Sequence, residues 1–179
     1  LYEEVSHCDE FAICKSSAEI DAARAANKIA LVITMEGVEP IGTDLDLLRV
    51  FYELGLRSVG LTHVRRNAAG DGGLFASSGS SPAGLSAFGK RVLAECERLG
   101  IMIDLAHLNP AGIDDVLQLA TKPVIVSHTN PRRYNDLERN ISDDHIREVG
   151  RRGGVIGINA VLLSQEPAKA TLDHYVDHV

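Results

Sequence analysis

The sequence predicts an α/β fold in which parallel strands alternate with helices. Five apolar runs occur along the 179 residues, and a helical pattern follows each of them. The runs are continuously apolar, which is typical of parallel strands covered on both faces. Parallel strands joined in this way need right-handed crossovers, and a barrel and a doubly wound sheet both satisfy the pattern. No Gly-x-Gly-x-x-Gly motif follows the first run, which disfavours a dinucleotide-binding fold.

Each predicted strand is a short run of apolar and β-branched residues that ends in a polar residue. The strands cover residues 29–35, 56–62, 101–107, 123–127 and 155–158. The third run begins directly after Gly100 and carries an acid, Asp104, in its interior. We expect Asp104 either to orient a neighbouring histidine or to be a core acid that backbone groups satisfy. Residues 1–14 are expected to form a helix end and a connector.

Helix boundaries are indicated by capping residues and glycines. Ser16 and Glu19 have the spacing of a capping box, Ser142 is a further N-cap, and Gly55 and Gly100 are placed to end helices. The predicted helices cover residues 16–26, 43–54, 88–99, 109–120 and 143–152, and a last one begins at residue 171. Between the second strand and the third helix, residues 64–86 are rich in Gly and Ser and lack periodicity. So long a segment is expected to be a functional lid or to be disordered.

Composition restricts the possible partners. The net charge is −7 and the pI is near 5.4, which disfavours a nucleic-acid partner or an anionic membrane surface. No apolar run reaches the roughly 18 residues of a transmembrane helix, and the acidic start does not resemble a signal peptide. The three cysteines form no Cys-x-x-Cys motif, so free thiols in a reducing compartment are expected. These features predict a cytoplasmic location.

Four consecutive strands end on a residue that can bind a metal ion. These residues are Glu36, His63, His107 and His128. In a barrel, the carboxyl ends of neighbouring strands meet at one mouth, so the four side chains should converge there. A carboxylate and two imidazoles are a ligand set of catalytic zinc, which lowers the pKa of bound water to about 7. Spacing does not distinguish a metal-binding histidine from one that contacts substrate, nor one ion from two.

Eight segments, in chain order, resemble the membrane (renal) dipeptidase family, whose members are similar to amidohydrolases. They are residues 35–38, 46–57, 61–63, 84–90, 98–107, 123–130, 139–144 and 153–159. The resemblance implies a partial TIM-type (β/α)8 barrel with about five βα units. It further implies that residues 1–179 are a single domain, a fragment of a longer metal-dependent dipeptidase that binds two zinc ions.

The resemblance also assigns roles to individual residues. Glu36 corresponds to a carboxylate that bridges both metal ions, and His107 and His128 complete the second metal site. His63 corresponds to a catalytic histidine that contacts the substrate near the scissile carbonyl. Arg139 corresponds to an arginine that holds the substrate, and a planar guanidinium suits the terminal carboxylate of a dipeptide.

Alternatives remain for several polar residues. Arg139 could instead be a helix-entry residue paired with Glu138 or Asp143. The family's first metal also needs a His-x-Asp pair that ends the first strand, and its later strands supply an Asp. Neither is expected within these residues, since residues 7–9 (His-Cys-Asp) follow a helical pattern and lie close to Glu36. His145 is expected in the first turns of a helix, and a solvent-exposed helix face is expected for His174 and His178.

The predicted function is zinc-dependent hydrolysis of dipeptides by a metal-bridging hydroxide at the mouth of the barrel. The partner is a small dipeptide, and a homodimer is expected. The resemblance implies that a D-residue on the carboxyl side of the dipeptide is often tolerated. Two alternatives are another amidohydrolase-type hydrolase, acting on a lactone or phosphoester, and a truncated metal-binding barrel without activity. The 179 residues by themselves are expected to be inactive, because a TIM barrel typically needs about 250 residues.

Overall fold

A computed structural model describes residues 1–73, 83–161, 163–164, 166 and 169–179 of the chain. The described strands are β1 (Phe11–Ile13), β2 (Ile29–Leu31), β3 (Ile33–Glu36), β4 (Leu56–Gly60), β5 (Met102–Asp104), β6 (Ile125–Thr129) and β7 (Val155–Ile158). The described α-helices are α1 (Tyr2–Ser6), α2 (Ser17–Ala25), α3 (Asp46–Glu53), α4 (Ala87–Leu99), α5 (Pro110–Leu119), α6 (Asp143–Arg151) and α7 (Leu172–Asp177). A 3₁₀ turn covers Glu39–Ile41.

Five strands form the main sheet in the order β3-β4-β5-β6-β7, and all neighbours are parallel. A doubly wound sheet reverses its strand order at a switch point, whereas a barrel keeps the order of the chain. The uninterrupted order is therefore that of an arc of a (β/α) barrel, and the predicted α/β fold with five βα units is confirmed.

The first predicted strand is wrong in its extent. Residues 29–35 form two strands separated by Val32, and only β3 joins the main sheet. The other half, β2, pairs in parallel with β1, which lies in residues predicted to be a connector. Because β1 has three residues, it is too short to show a periodicity, and its pairing with β2 defines it as a strand.

Capping residues determine where the helices begin, largely as predicted. The side chains of Ser16, Asn109, Ser142 and Thr171 each accept a hydrogen bond from a backbone N–H in the first turn of the helix that follows. Gly100 ends α4 with φ +79°, the left-handed conformation that glycine adopts at little cost. The helix predicted for residues 43–54 is shorter, since α3 begins only at Asp46.

The hydrophobic core lies between the sheet and the helices on one of its faces. Fully buried core residues on strands and helices include Leu48, Val59, Val92, Cys96, Val116 and Val126. On the strands, Met102 and Val155 retain 39% and 67% of their exposure. The expected cover on both faces is thus wrong for the described residues, because these five strands leave the inner face of the arc open. That face lines a cavity of about 400 Å³ beside Glu36 and His128.

Candidate metal centre

The four predicted strand-end residues all lie at the carboxyl side of the main sheet. Glu36 is the last residue of β3, and His128 is the fourth residue of β6. The other two histidines lie beyond their strands, because β4 ends at Gly60 and β5 at Asp104. His63 and His107 are therefore carried by the turns that follow these strands.

The structure brings three of the four side chains into one group. Nε2 of His107 lies 2.9 Å from Oε1 of Glu36, and Nε2 of His128 lies 3.3 Å from the same oxygen. The two Nε2 atoms are 2.9 Å apart. Ligand atoms around tetrahedral zinc, with bonds of roughly 2.0–2.1 Å, lie about 3.3 Å from one another. The triangle of one oxygen and two nitrogens is close to that spacing, so this donor set fits a metal ion.

The protonation of His107 also suits metal binding. Burial, reinforced by the positive charge of Arg139 and by the rings of His128 and His63, lowers the pKa of His107 to about 3. The ring is therefore neutral at pH 7 and retains a nitrogen lone pair, as a metal ligand must. The Oγ of Ser127 lies 2.8 Å from Nδ1 of His128, a contact that orients the second ring.

The backbone of His107 has an unusual conformation that neighbouring groups hold in place. Its φ is +65°, the left-handed region that few residues other than glycine occupy. Its carbonyl accepts hydrogen bonds from Oγ1 of Thr62, at 3.0 Å, and from the N–H of Gly73, at 2.8 Å. Such strained residues persist where the surroundings over-determine them, often at functional sites.

Asp104 is satisfied by backbone groups. Its Oδ1 accepts a hydrogen bond from the N–H of Ala106 at 3.0 Å and from the N–H of Ser127 at 2.9 Å. Of the two expectations for this acid, the structure shows the backbone-satisfied one.

His63 lies beside the three-donor group and outside it. Its Nε2 is 3.9 Å from Oε2 of Glu36, and its ring packs edge-on against the ring of His107 with 4.7 Å between the centroids. Half of the His63 side chain is exposed, and it lines a cavity of about 620 Å³ together with Arg65 and Asn67. Glu36, His107 and His128 are called the triad below. The position of His63 leaves its imidazole accessible to a molecule bound next to the triad.

Arg139 is almost completely buried, with 6% of its surface exposed. Its Nη2 donates a hydrogen bond of 2.9 Å to the carbonyl of His128. Burial lowers the pKa of Arg139, and the charges of Asp104 and Glu36 oppose that effect. The alternative pairing with Glu138 or Asp143 is wrong, because no ion pair among the described residues includes Arg139; Oδ2 of Asp143 instead lies 3.2 Å from Nη1 of Arg133.

Sequence reasoning missed Asp71, which organises the segment after His63. This carboxylate is 2% exposed and pairs with the guanidinium of Arg66. The carboxylate also accepts a hydrogen bond from the N–H of Ala83, and the backbone carbonyl of Asp71 accepts one from the N–H of Asn109. The sequence around Asp71 is rich in Gly and Ser, and this composition predicted only a functional lid or disorder. The predicted lid, residues 64–86, lies outside the described residues at positions 74–82.

The remaining histidines lie away from the triad, as predicted. His7 follows the end of α1 and does not end a strand. His145 pairs with Asp114 at 2.8 Å, and His174 takes part in the N-terminal capping box of α7. His178 departs from the expected solvent-exposed face, because it is 4% exposed and stacks on Tyr134.

Comparison with known proteins identifies the family. A family model described as membrane dipeptidase (peptidase family M19) matches residues 2–179. The chain belongs to this family. The resemblance found in the sequence is thus confirmed.

Individual dipeptidases of the family show how much of the barrel these residues represent. An uncharacterized dipeptidase of Schizosaccharomyces pombe is 34% identical over 173 residues, which are 95% of this chain and 41% of the relative. A crystal structure of a metallopeptidase from Rhodobacter sphaeroides, liganded with a phosphinate mimic of the dipeptide L-Ala-D-Ala, is 34% identical with a TM-score of 0.84. The alignment covers 99% of this chain and 54% of that one.

An amidohydrolase structure from Pseudomonas aeruginosa is 27% identical with a TM-score of 0.85, and the match covers 96% of this chain and 51% of that chain. The chain thus spans about half the length of the relatives it matches. Among the described helices, none is long and apolar enough to cross a bilayer.

Proposed function

We propose that residues 1–179 form the part of a dipeptidase barrel that holds zinc through Glu36, His107 and His128. The observation that carries the proposal is the convergence of one carboxylate oxygen and two imidazole nitrogens at the carboxyl ends of β3, β5 and β6. Glu36 has a second oxygen, which faces His63 and is free to bind another ion, so a binuclear site is proposed. When bound, the two zinc ions would supply a bridging hydroxide that attacks the peptide carbonyl.

The other site residues would act on the substrate. The exposed imidazole of His63 is positioned to stabilise negative charge that develops on the carbonyl oxygen. The charge of Arg139 is close enough to affect the protonation of His107, and it favours a substrate whose terminal carboxylate lies at this end of the sheet. We propose that Arg139 orients a dipeptide in this way while its backbone contact supports His128.

The proposed substrates are dipeptides, including those with a D-residue on the carboxyl side. Support comes from the family and from the Rhodobacter sphaeroides metallopeptidase, whose ligand mimics L-Ala-D-Ala. We further propose that residues 1–179 are a single domain within a longer barrel. The remaining ligands of the first metal and the late Asp would then lie in the rest of that barrel. The 179 residues would be inactive without it.

Two alternatives keep some support. The similarity to an amidohydrolase structure leaves a lactone or phosphoester as a possible substrate class. The open inner face of the sheet favours a metal-binding barrel without activity, if no further strands close it. A cytoplasmic location, a homodimer and the lack of a nucleic-acid partner stay predictions.

Metal content and a substrate panel test the proposal. The protein encoded by the longest natural reading frame that contains these residues is purified, and its zinc content is measured by mass spectrometry. Hydrolysis is then followed with L-Ala-L-Ala, L-Ala-D-Ala, a lactone and a phosphoester. We expect about two zinc ions per chain and turnover of the dipeptides.

Substitutions separate the roles of the residues. Glu36→Gln and His128→Ala should lose zinc and activity together, whereas His63→Ala should keep zinc and lose turnover. His145→Ala is the matched control, since its ring pairs with Asp114 away from the triad. Full activity in Glu36→Gln or His128→Ala would overturn the assignment. Zinc without any turnover would favour the inactive barrel.

A further inference from the structure

One carboxylate oxygen joins the two segments that carry the histidines of the triad. Oδ1 of Asp104 accepts the N–H of Ala106 and the N–H of Ser127, at 3.0 and 2.9 Å. Each of these amides belongs to the residue directly before one of the two imidazole ligands, His107 and His128. The same oxygen therefore fixes the approach of both rings to the centre.

We propose that Asp104 is a positioning residue that sets the separation of His107 and His128 for metal binding. The inference rests on the proposed function, because the ligand role of the two rings belongs to it. Asp104 lies at the end of β5. Its hydrogen bonds to these two amides go to the backbone and not to the imidazole rings. It acts through the backbone, whereas a typical second ligand sphere binds the imidazole itself.

The pairing of the strands shows why such a link is needed. The ladder between β5 and β6 contains a single register pair, Asp104 with Ile125, whereas that between β4 and β5 contains three. A further backbone bond joins Leu105 N–H to the carbonyl of Ile125. The ladder between these two strands has no further register pair, and the Asp104 carboxylate links the two segments in place of ladder hydrogen bonds. Hydrogen bonds to a charged acceptor are about twice as strong as neutral ones.

The geometry of the rings leaves little tolerance. The two Nε2 atoms are 2.9 Å apart, and a binding constellation must be held to roughly 0.5 Å to function. His107 also has a left-handed backbone conformation, which is unfavourable for a residue other than glycine. Without the anchor at Ala106, the turn can relax, and Nε2 of His107 moves away from Glu36 and His128.

A competing role for Asp104 is purely electrostatic. Its negative charge, together with that of Glu36, opposes the effect of burial on the pKa of Arg139. Asparagine distinguishes the two roles, because its side-chain oxygen can accept both N–H groups while the charge is lost. Alanine removes the acceptor and the charge together.

The experiment compares zinc affinity and the absorption spectrum of the cobalt(II) form in the complete protein. Asp104→Ala should weaken zinc binding about 10–100-fold and alter the cobalt spectrum. Asp104→Asn should keep the wild-type spectrum and lose much less zinc affinity than Asp104→Ala, because its neutral oxygen still accepts both N–H groups, though more weakly. Asp115→Ala is the matched control: Asp115 also accepts a backbone N–H, from Leu85 at 2.7 Å, but lies outside the centre and should change neither readout.

The outcomes separate this inference from the proposed function. Wild-type protein that binds no zinc would overturn both. Wild-type protein that binds zinc, with Asp104→Ala equal to it in affinity and spectrum, would overturn the positioning role alone. If Asp104→Asn alters the cobalt spectrum or weakens zinc binding about 10-fold or more, the loss expected when the anchor is removed, the charge matters and the backbone role is wrong. This result holds even where Asp104→Ala does not fold.

Discussion

Gly157→Ala is the perturbation that most directly tests how the neighbouring strand supports His128. Gly157 lies on β7 opposite the place where its register with β6 shifts, between Val126 and Thr129. A Cβ at this position would lie 2.2 Å from the carbonyl oxygen of Ser127. Since that atom belongs to the backbone, no side-chain rotation relieves the contact.

The size of the effect follows from this distance. Real Cβ atoms essentially never come closer than 3.0 Å, so β6 and β7 must separate by at least 0.8 Å, the difference between 3.0 and 2.2 Å. Overpacking of this kind typically costs about 1–3 kcal/mol. For a domain of this size, each kcal/mol lowers the melting temperature by roughly 2–4 °C. We therefore expect a decrease of about 2–12 °C.

Thermal unfolding and zinc titration measure the two consequences. The displaced strand carries Ser127 and His128, so zinc affinity should fall along with stability. Gly150→Ala is the matched control, because nothing lies within 4 Å of a Cβ at this position of α6. In a helix, Ala is favoured over Gly by roughly 0.5–1 kcal/mol, so the control should melt at a higher temperature. A Gly157→Ala variant that melts at or above the wild-type temperature would refute the reasoning.

Three further predictions concern the loop anchor, the support of His107 and the metal. Asp71→Asn should destabilise by about 1.5–3 kcal/mol. Because Arg66 lowers the pKa of Asp71, this difference should be complete near neutral pH and shrink as the pH falls below about 4; a constant difference down to pH 3 would contradict it. Thr62→Val should cost about 0.5–1.5 kcal/mol in urea unfolding, and an unchanged midpoint would refute the hydrogen bond to His107. Chelation should destabilise the wild type by about 2.7 kcal/mol when the zinc present was 100 times its Kd, and should leave Glu36→Gln unaffected.

Much of the site could be predicted because strand ends are visible in a sequence. The apolar runs before Glu36, His107 and His128 identified three parallel strands, and parallel strands place their carboxyl ends together. The three donor atoms do meet at one point in the structure. The same reasoning made His63 a possible metal ligand, but in the structure His63 lies beside the triad and outside it. The difference depends on how the chain turns after β4, which no residue pattern indicates.

The supporting interactions could not be predicted, because they join segments that are distant in the chain. The two amides held by Asp104 are separated by 21 positions, at Ala106 and Ser127, and only the folded register brings them to one oxygen. The contact of Arg139 with the carbonyl of His128 is of the same kind. Strand β1 was missed because a three-residue strand is defined by its partner and not by its own composition.

The sequential order of the strands has a consequence for folding kinetics. Every pairing in the main sheet joins segments that are consecutive along the chain, from β3 through β7. Contacts between near segments require less loop closure and form faster than distant ones. Glu36, His107 and His128 lie on the arc from β3 to β6, so the three side chains can be assembled before β7 has docked. If the proposed function is right, zinc would then bind a partly folded arc and direct the rest of the chain onto it.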